Sequence, residues 1–358
     1  MIELNSVKLF AEQNKELYTA FKDYRDQWLS ENRGVKGKAF SAKSLDDKAN
    51  VINKLFAEEL ERKVPRDGVD LAHYANSPMV KYFSDAIVDS MIDMVIPDVL
   101  NTSVGLIADI KYLDYGDSAK FDMKNNGLFT VAKAGYRQRN TIAQANYGTT
   151  VTLTPENHEL TVVTNMYAIL ADREKLAEYV MKAALSIEAE MLTDIWGTFE
   201  TAANASTVPS ALKVTNFTET SAVQLIQKVE AYNRAGAVLV GTELALAKIL
   251  PSNPQYRYFL TDEIWKLGHV QQFRNRDVIP VKQIADYKST NYGLALSDSY
   301  IYVMSPAVDK PIKVVVGSTI ADHTEDSYFN ANLSISHTLN KAWGSACITN
   351  AIQGVITV

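Results

Sequence analysis

Apolar side chains recur at Leu176, Val180, Ala184, Ile187, Met191, Ile195 and Phe199, steps of four and three that draw one stripe along a helical cylinder. The spacing predicts a single long helix over 171–203, with Asp172 as its N-cap and no proline inside it. Arg173, Glu178, Lys182, Glu188 and Asp194 fall off the stripe, and the pair Glu188/Glu190 is expected on the solvent side. Three shorter helical patterns precede it. Val7, Phe10, Leu17 and Phe21 share a face, continued loosely by Trp28 until the break at Asn32-Arg33-Gly34. Val51, Leu55, Phe56 and Leu60 face inward in a helix from Ser44 or Leu45 to Arg62, ended by Pro65. Val80, Phe83, Ile87, Met91 and Met94 line a third, over 78–96, with Pro97 as its expected stop.

From Thr102 the period changes to two. Val104, Leu106 and Ala108 alternate with their neighbours, 114–117 reads as a turn, and Ala119, Phe121 and Met123 alternate again before Asn125-Asn126-Gly127, a strong turn signal. A polar, glycine-punctuated tract over 133–146 holds Arg137, Gln138, Arg139 and Gln144. The β-branched runs 149–154 and 160–164 then flank Pro155-Glu156-Asn157-His158. These strands are thin and half polar, and a two-stranded hairpin is marginal alone in water, so much of it is expected to lie on another surface, its own or a neighbouring subunit's. Beyond the long helix, strands and helices alternate. A helix over 222–235 offers Val223, Leu225, Ile226, Val229 and Tyr232 to a core, and 237–240 is a buried strand after which Gly241-Thr242 opens a helix over 243–250. Tyr256 to Leu260 forms a further strand-like grouping, and strands follow at 278–281, 299–304 and 312–316. This argues for a compact mixed α/β unit over roughly 221–308. Leu333, Ile335, His337 and Leu339, then 346–349 and 354–358, close the chain in strand-like alternation.

Composition narrows the chemistry. With 47% apolar residues over 358 positions the chain buries a large core, and length suggests more than one domain. Lys and Arg total 36 against 42 Asp and Glu, a net charge of −6, so the molecule as a whole is not built to grip nucleic acid. Cys347, the single cysteine, excludes an internal disulfide and reads as a small buried hydrophobe. No apolar run reaches the roughly 18 residues of a membrane span, and charges stand where a signal peptide would be apolar, so a reducing cytoplasm is expected. His73, His158, His269, His323 and His337 are scattered, with no HExxH or Cys-x-x-Cys spacing, and no metal, cofactor or catalytic residue is assigned. Gly34-Val35-Lys36-Gly37-Lys38-Ala39 lacks the spacing and the Ser or Thr of a phosphate loop and reads as a flexible break. Asp46-Asp47 begins a helix, where acids suit the dipole.

Helical arm, long β-hairpin, long helix, α/β unit and closing strands follow one another in an order that resembles the major capsid proteins of tailed bacteriophages, the Hong Kong 97-type fold. The likeness spans about 101–358 and is closest at 160–201, a strand feeding the long helix, and where AGAVLVGTELALAKIL and RDVIPVKQI look like the family's A-domain strand, helix and returning strand. The resemblance implies an α+β fold: a helical N-terminal arm region over 1–100; a P-domain over 101–220 and 309–358, with the E-loop hairpin at about 117–165 and the spine helix at 171–203; and an A-domain over 221–308. It implies a structural head protein, not an enzyme, that joins copies of itself in pentamers and hexamers around phage double-stranded DNA. Portal and scaffolding or decoration proteins would be partners, with no sequence-specific DNA binding, no membrane, and assembly in the host bacterial cytoplasm. Some family members cross-link a hairpin lysine to a P-domain asparagine, and Lys133 and Asn350 stand at those places by position. The alternatives are an encapsulin-type compartment and, from another class, a cytoplasmic enzyme or binding protein using 221–308 as its substrate domain.

Overall fold

A computed structural model describes residues 4–35, 40–64, 68, 70–75, 77–114, 117–123, 125, 127–134, 136, 142–144, 146–164, 166–250, 261–287, 290–325 and 335–358. Arg137, Gln138 and Arg139, Asn126, Pro65, the tail of the glycine-punctuated break at 36–39, Leu333 and the grouping 256–260 lie outside the described residues.

The N-terminal region forms α1 (Asn5–Gln13), α2 (Lys15–Arg33), α3 (Leu45–Lys63) and α4 (Pro78–Ser103). Gly34 ends α2 in the left-handed conformation that a residue without Cβ adopts freely, at φ 65°. Ser44 caps α3 by accepting the Asp47 N–H at 3.1 Å, and Asp46 and Asp47 occupy the first turn, where the helix dipole favours them. Pro97 does not stop α4, which runs through it to Ser103. A proline inside a helix leaves carbonyls of the preceding turn short of donors. The orphaned carbonyl is that of Asp93; at the next position, Arg25 of α2 donates through Nη1 to the Met94 carbonyl at 2.8 Å while the guanidinium is held by Asp26 and Asp98. Because α4 continues, residues 104–107 are a turn and not the start of a strand, and Leu106 is exposed.

The long helix is α6, Leu176–Asn204, preceded by the short α5 (Met166–Leu170). It starts later than its apolar period suggests because Asp172 is not its cap: Asp172 sits at φ 54° in the connection. The cap comes from α3. Asn53 Oδ1 accepts the Leu176 N–H at 2.9 Å, and Asn53 Nδ2 donates to the Glu174 carbonyl and to Asp172 Oδ1 at 2.8 and 3.0 Å. The stripe Leu176, Val180, Ala184, Ile187, Met191, Ile195 and Phe199 is buried, as its spacing predicts. So are Met181, Leu192 and Trp196, because α6 packs on α3 and α4 as well as on a sheet.

That sheet has the order β1-β10-β11-β4: β1 (Ala108–Tyr112) runs parallel to β10 (Ile312–Glu325), β10 antiparallel to β11 (Ile335–Cys347), and β11 antiparallel to β4 (Glu156–Thr164). Ile312, Val314 and Val316 point to the helix side of the sheet and join one core with α1 to α4 and α6. Val315 points to the other side, where it packs with Ala119, Phe121 and Leu153. Those residues belong to β2 (Ala119–Met123) and β3 (Thr149–Leu153), an antiparallel pair in register from Ala119↔Leu153 to Met123↔Thr149. The root of the hairpin thus lies on the chain's own sheet. The run 160–164 is not part of that hairpin pair: after the corner at Thr154-Pro155, β4 leaves it, sets Leu160 opposite Leu339, and takes in His158, which the sequence places in a turn.

A six-stranded sheet has the order β5-β12-β9-β6-β8-β7. Its strands are β5 (Lys213–Thr215), β6 (Val238–Thr242), β7 (Gln272–Phe273), β8 (Arg276–Val281), β9 (Tyr300–Met304) and β12 (Gly354–Thr357), so it draws on both ends of the region that follows α6. Its helix α7 (Glu219–Asn233) begins at a capping box made by Thr218 and Ser221. Leu225 of α7 lies so close to Gly354 that a Cβ there would meet it at 2.7 Å. Tyr232, which the periodicity offers to this core, is 70% exposed on the far side of α7. Thr242 caps the next short helix, α8 (Glu243–Leu246), as the Gly-Thr pair predicts.

Candidate functional site

Two parts of the molecule break the ordinary distribution of polar and apolar groups. The first is inside. Asp93 of α4 and Lys341 of β11 form an ion pair at 2.6 Å with side chains 0% and 1% exposed. The Asp93 carboxylate also accepts the Thr319 hydroxyl at 2.6 Å, the Thr319 N–H at 3.1 Å and the Ser6 hydroxyl at 2.8 Å. The Thr319 N–H faces Asp93 beside a register shift between Val316 and Thr319 in the β10–β11 ladder, so a bulge supplies the donor that the carboxylate needs. One buried charge network therefore ties α1, α4, β10 and β11.

Glu188 is a second internal tie and a correction. It is 1% exposed, not on the solvent side of α6. Arg33, in the last turn of α2, grips it with both guanidinium nitrogens at 3.1 and 2.7 Å, and the Ser103 hydroxyl donates at 3.2 Å. Burial raises the Glu188 carboxyl above its ordinary 4.5, outweighing the opposing pull of Arg33 and Ser103. Sequence periodicity missed Glu188 because it assumes one buried face, whereas α6 is covered on several.

A third cluster staples β4 to α6. The His158 imidazole stacks on the Trp343 indole with ring centroids 3.5 Å apart and planes 7° from parallel. Asp194 Oδ2 accepts Trp343 Nε1–H at 2.9 Å and lies 3.6 Å from His158 Nε2. Asp194, off the apolar stripe, is thus the residue that fixes the strand feeding the long helix. His269 is buried, with Nδ1 2.8 Å from the Leu267 carbonyl. Among the described residues no group of three His, Cys, Asp or Glu is placed to hold a metal ion. Cys347 is partly buried, and burial pushes its thiol pKa up. No helix of the described residues is long and apolar enough to cross a membrane.

The second unusual part is outside. Between the tips of β2 and β3, Leu128, Phe129, Val131, Tyr136, Ile142 and Tyr147 are 50–93% exposed. Burying Leu128, Phe129, Val131 or Ile142 would be worth roughly 1.5–3 kcal/mol each, yet all are left in water. The loop still has internal order: the Gln144 side-chain amide accepts the Thr130 N–H at 2.8 Å and donates to the Thr130 carbonyl at 3.0 Å, as a neighbouring strand would. Its sequence holds no Asp or Glu between Met123 and Pro155, against Lys124, Lys133, Arg137 and Arg139. Lys133 is exposed in this loop. Asn350, also exposed, stands in the turn before β12, its N–H directed at Asp309 Oδ2 at 3.3 Å.

The sequence model described as "SPbeta prophage-derived putative capsid protein YonB" matches residues 31–331, and the chain belongs to this family. The resemblance to phage capsid proteins read from the sequence is met at that level. No curated protein matches the chain. Among solved structures, the capsid of the cyanophage P-SCSP1u is similar at 10% identity over 70% of this chain and 86% of that one, with a TM-score of 0.45. The capsid of an empty GTA particle is similar at 13% identity over 71% and 89%, with a TM-score of 0.45. The virus-like particle of Pyrococcus furiosus is similar at 9% identity over 73% and 95%, with a TM-score of 0.42. All three scores lie below 0.5, and family membership rests on the sequence match.

Proposed function

We propose that the protein is a major capsid protein of the Hong Kong 97-like kind, which joins copies of itself in pentamers and hexamers to build an icosahedral shell around phage double-stranded DNA. In this reading the loop and root of the β2–β3 hairpin are the E-loop, α6 is the spine of the P-domain together with the four-stranded sheet, β6 to β9 of the six-stranded sheet belong to the A-domain over 221–308 while β5 and β12 join that sheet from the P-domain stretches, and α1 to α4 form the N-terminal arm region. The single observation that carries it is the arm: six large apolar side chains held in water on a hairpin whose root is fixed to a rigid sheet. Such a surface is stabilised only when a second molecule covers it. The acidic whole fits an inner wall that does not hold DNA tightly, since phosphate contacts would oppose packaging and release. Assembly takes place in the host bacterial cytoplasm, with portal and scaffolding or decoration proteins as partners and without catalysis or a cofactor. Negative-stain microscopy of the purified full chain tests this: shells, tubes or capsomer rings are expected, and a compact monomer or dimer at every concentration would overturn it.

A further inference from the structure

An edge strand presents unpaired N–H and C=O groups, and folded proteins keep such edges short or charged. Among the described residues, three of the four outer strands of the two larger sheets obey the first rule. In the six-stranded sheet the edges are β5 and β7, of 3 and 2 residues, and in the four-stranded sheet β1 has 5. The remaining edge is β4, with 9 residues, paired to β11 along one side and, among the described residues, to no strand along the other. Its sequence, ENHELTVVT, carries two acids and no Lys or Arg, and Glu156, Glu159 and Thr161 are exposed.

We propose that the open edge of β4 receives the extended segment 128–134 of the arm from a second copy of this chain, by strand addition. This rests on the arm reading above and names the surface that the arm meets. Segment 128–134, LFTVAKA, holds the β-prone run Phe129-Thr130-Val131, lies outside any strand in its own chain, and carries Lys133 within the acid-free stretch. Main-chain ladder bonds supply affinity in this mode of recognition, and side chains on alternate positions supply selection. Charge selects the partner. Two β4 edges brought together oppose Glu156 and Glu159 of one copy to those of the other, so the edge repels its own kind and accepts a basic strand. The same acids guard the edge against random pairing before the shell forms.

Full-length chains carrying Cys347→Ser and Thr161→Cys, with Phe129→Cys, Val131→Cys or Lys133→Cys in turn, test this after assembly and oxidation with copper phenanthroline. At least one of the three pairs is expected to give ladders of cross-linked copies on non-reducing gels, and the Thr161→Cys chain alone at most a dimer. Particles of normal form in which none of the three pairs cross-links would overturn the β4 site while leaving the shell reading intact. A wild-type chain that never assembles removes both. Charge exchange gives an independent check. Lys133→Glu, and separately Glu156→Lys/Glu159→Lys, should each raise the concentration needed for assembly about tenfold, and all three together should return it to within about threefold of wild type. Losses that simply multiply in the triple variant would overturn the proposal.

Discussion

The joint between α4 and the four-stranded sheet and the loop of the β2–β3 hairpin reverse the usual placement of side chains in opposite directions. In the joint, Asp93 and Lys341 are charges sealed from water: Lys341 is paired with Asp93, and the Asp93 carboxylate also accepts from Thr319 and Ser6, in distant parts of the chain. In the loop, Val131, Tyr136 and Ile142 are apolar groups left about nine-tenths exposed. A buried network whose every member is paired fixes one relative position of the elements that supply it, at a cost that an apolar core would avoid. An exposed apolar loop gives its own chain nothing. The first feature serves the rigidity of the fold, the second, under the proposed function, its association, and so a substitution in one should leave the property governed by the other unchanged.

The largest effect is expected inside the plate. Met191→Asp sets an unpaired charge against a fully buried stripe, a cost of several kcal/mol, and should abolish soluble folded protein as judged by yield and near-ultraviolet circular dichroism. Lys341→Met strands Asp93 without its cation and should lower unfolding free energy by about 3–5 kcal/mol in urea titration. Asn53→Ala removes the cap that α3 lends to α6 and should cost about 1–2 kcal/mol. Glu188→Gln gives the smallest change and a distinctive one. Because burial raises the carboxyl in the folded state, the fold binds this proton more tightly than the unfolded chain does. The resulting stabilisation is complete below the ordinary 4.5 and is lost as pH rises through the raised value, so wild type should lose stability relative to Glu188→Gln from pH 4.5 upward. Parallel melting curves for the two proteins across that window would show that Arg33 fully offsets the burial.

Local features of the fold were legible in the sequence where they depended on residues close together. The stripe of α6, a helix start at Ser44 or Leu45 with Asp46-Asp47 in its first turn, a buried strand at 237–240 with Gly241-Thr242 opening the next helix, and the order of elements that resembles phage capsid proteins all read directly. What was not legible came from far away. The α6 cap comes from Asn53, 123 positions before Leu176, and the cover on Glu188 from Arg33, 155 positions away. Pro97 stays inside α4 where Arg25, from α2, donates to the carbonyl of the turn before it. Of the candidate site, the self-insufficient hairpin was visible as thin, half-polar strands, but its division was not: only the partner strand β11 decides that β4 leaves it.

The contrast between plate and arm can be tested by removing the arm alone. Met123 and Thr149 face each other in the β2–β3 ladder, so an Asn-Gly turn in place of residues 124–148 closes the hairpin where its root ends. The root contacts of Ala119, Phe121 and Leu153 with Val315 remain. An unfolding midpoint equal to or slightly above that of wild type is expected, since a shorter loop costs less closure entropy, together with loss of all shells and tubes by microscopy. Shells at wild-type yield from the shortened chain would contradict it.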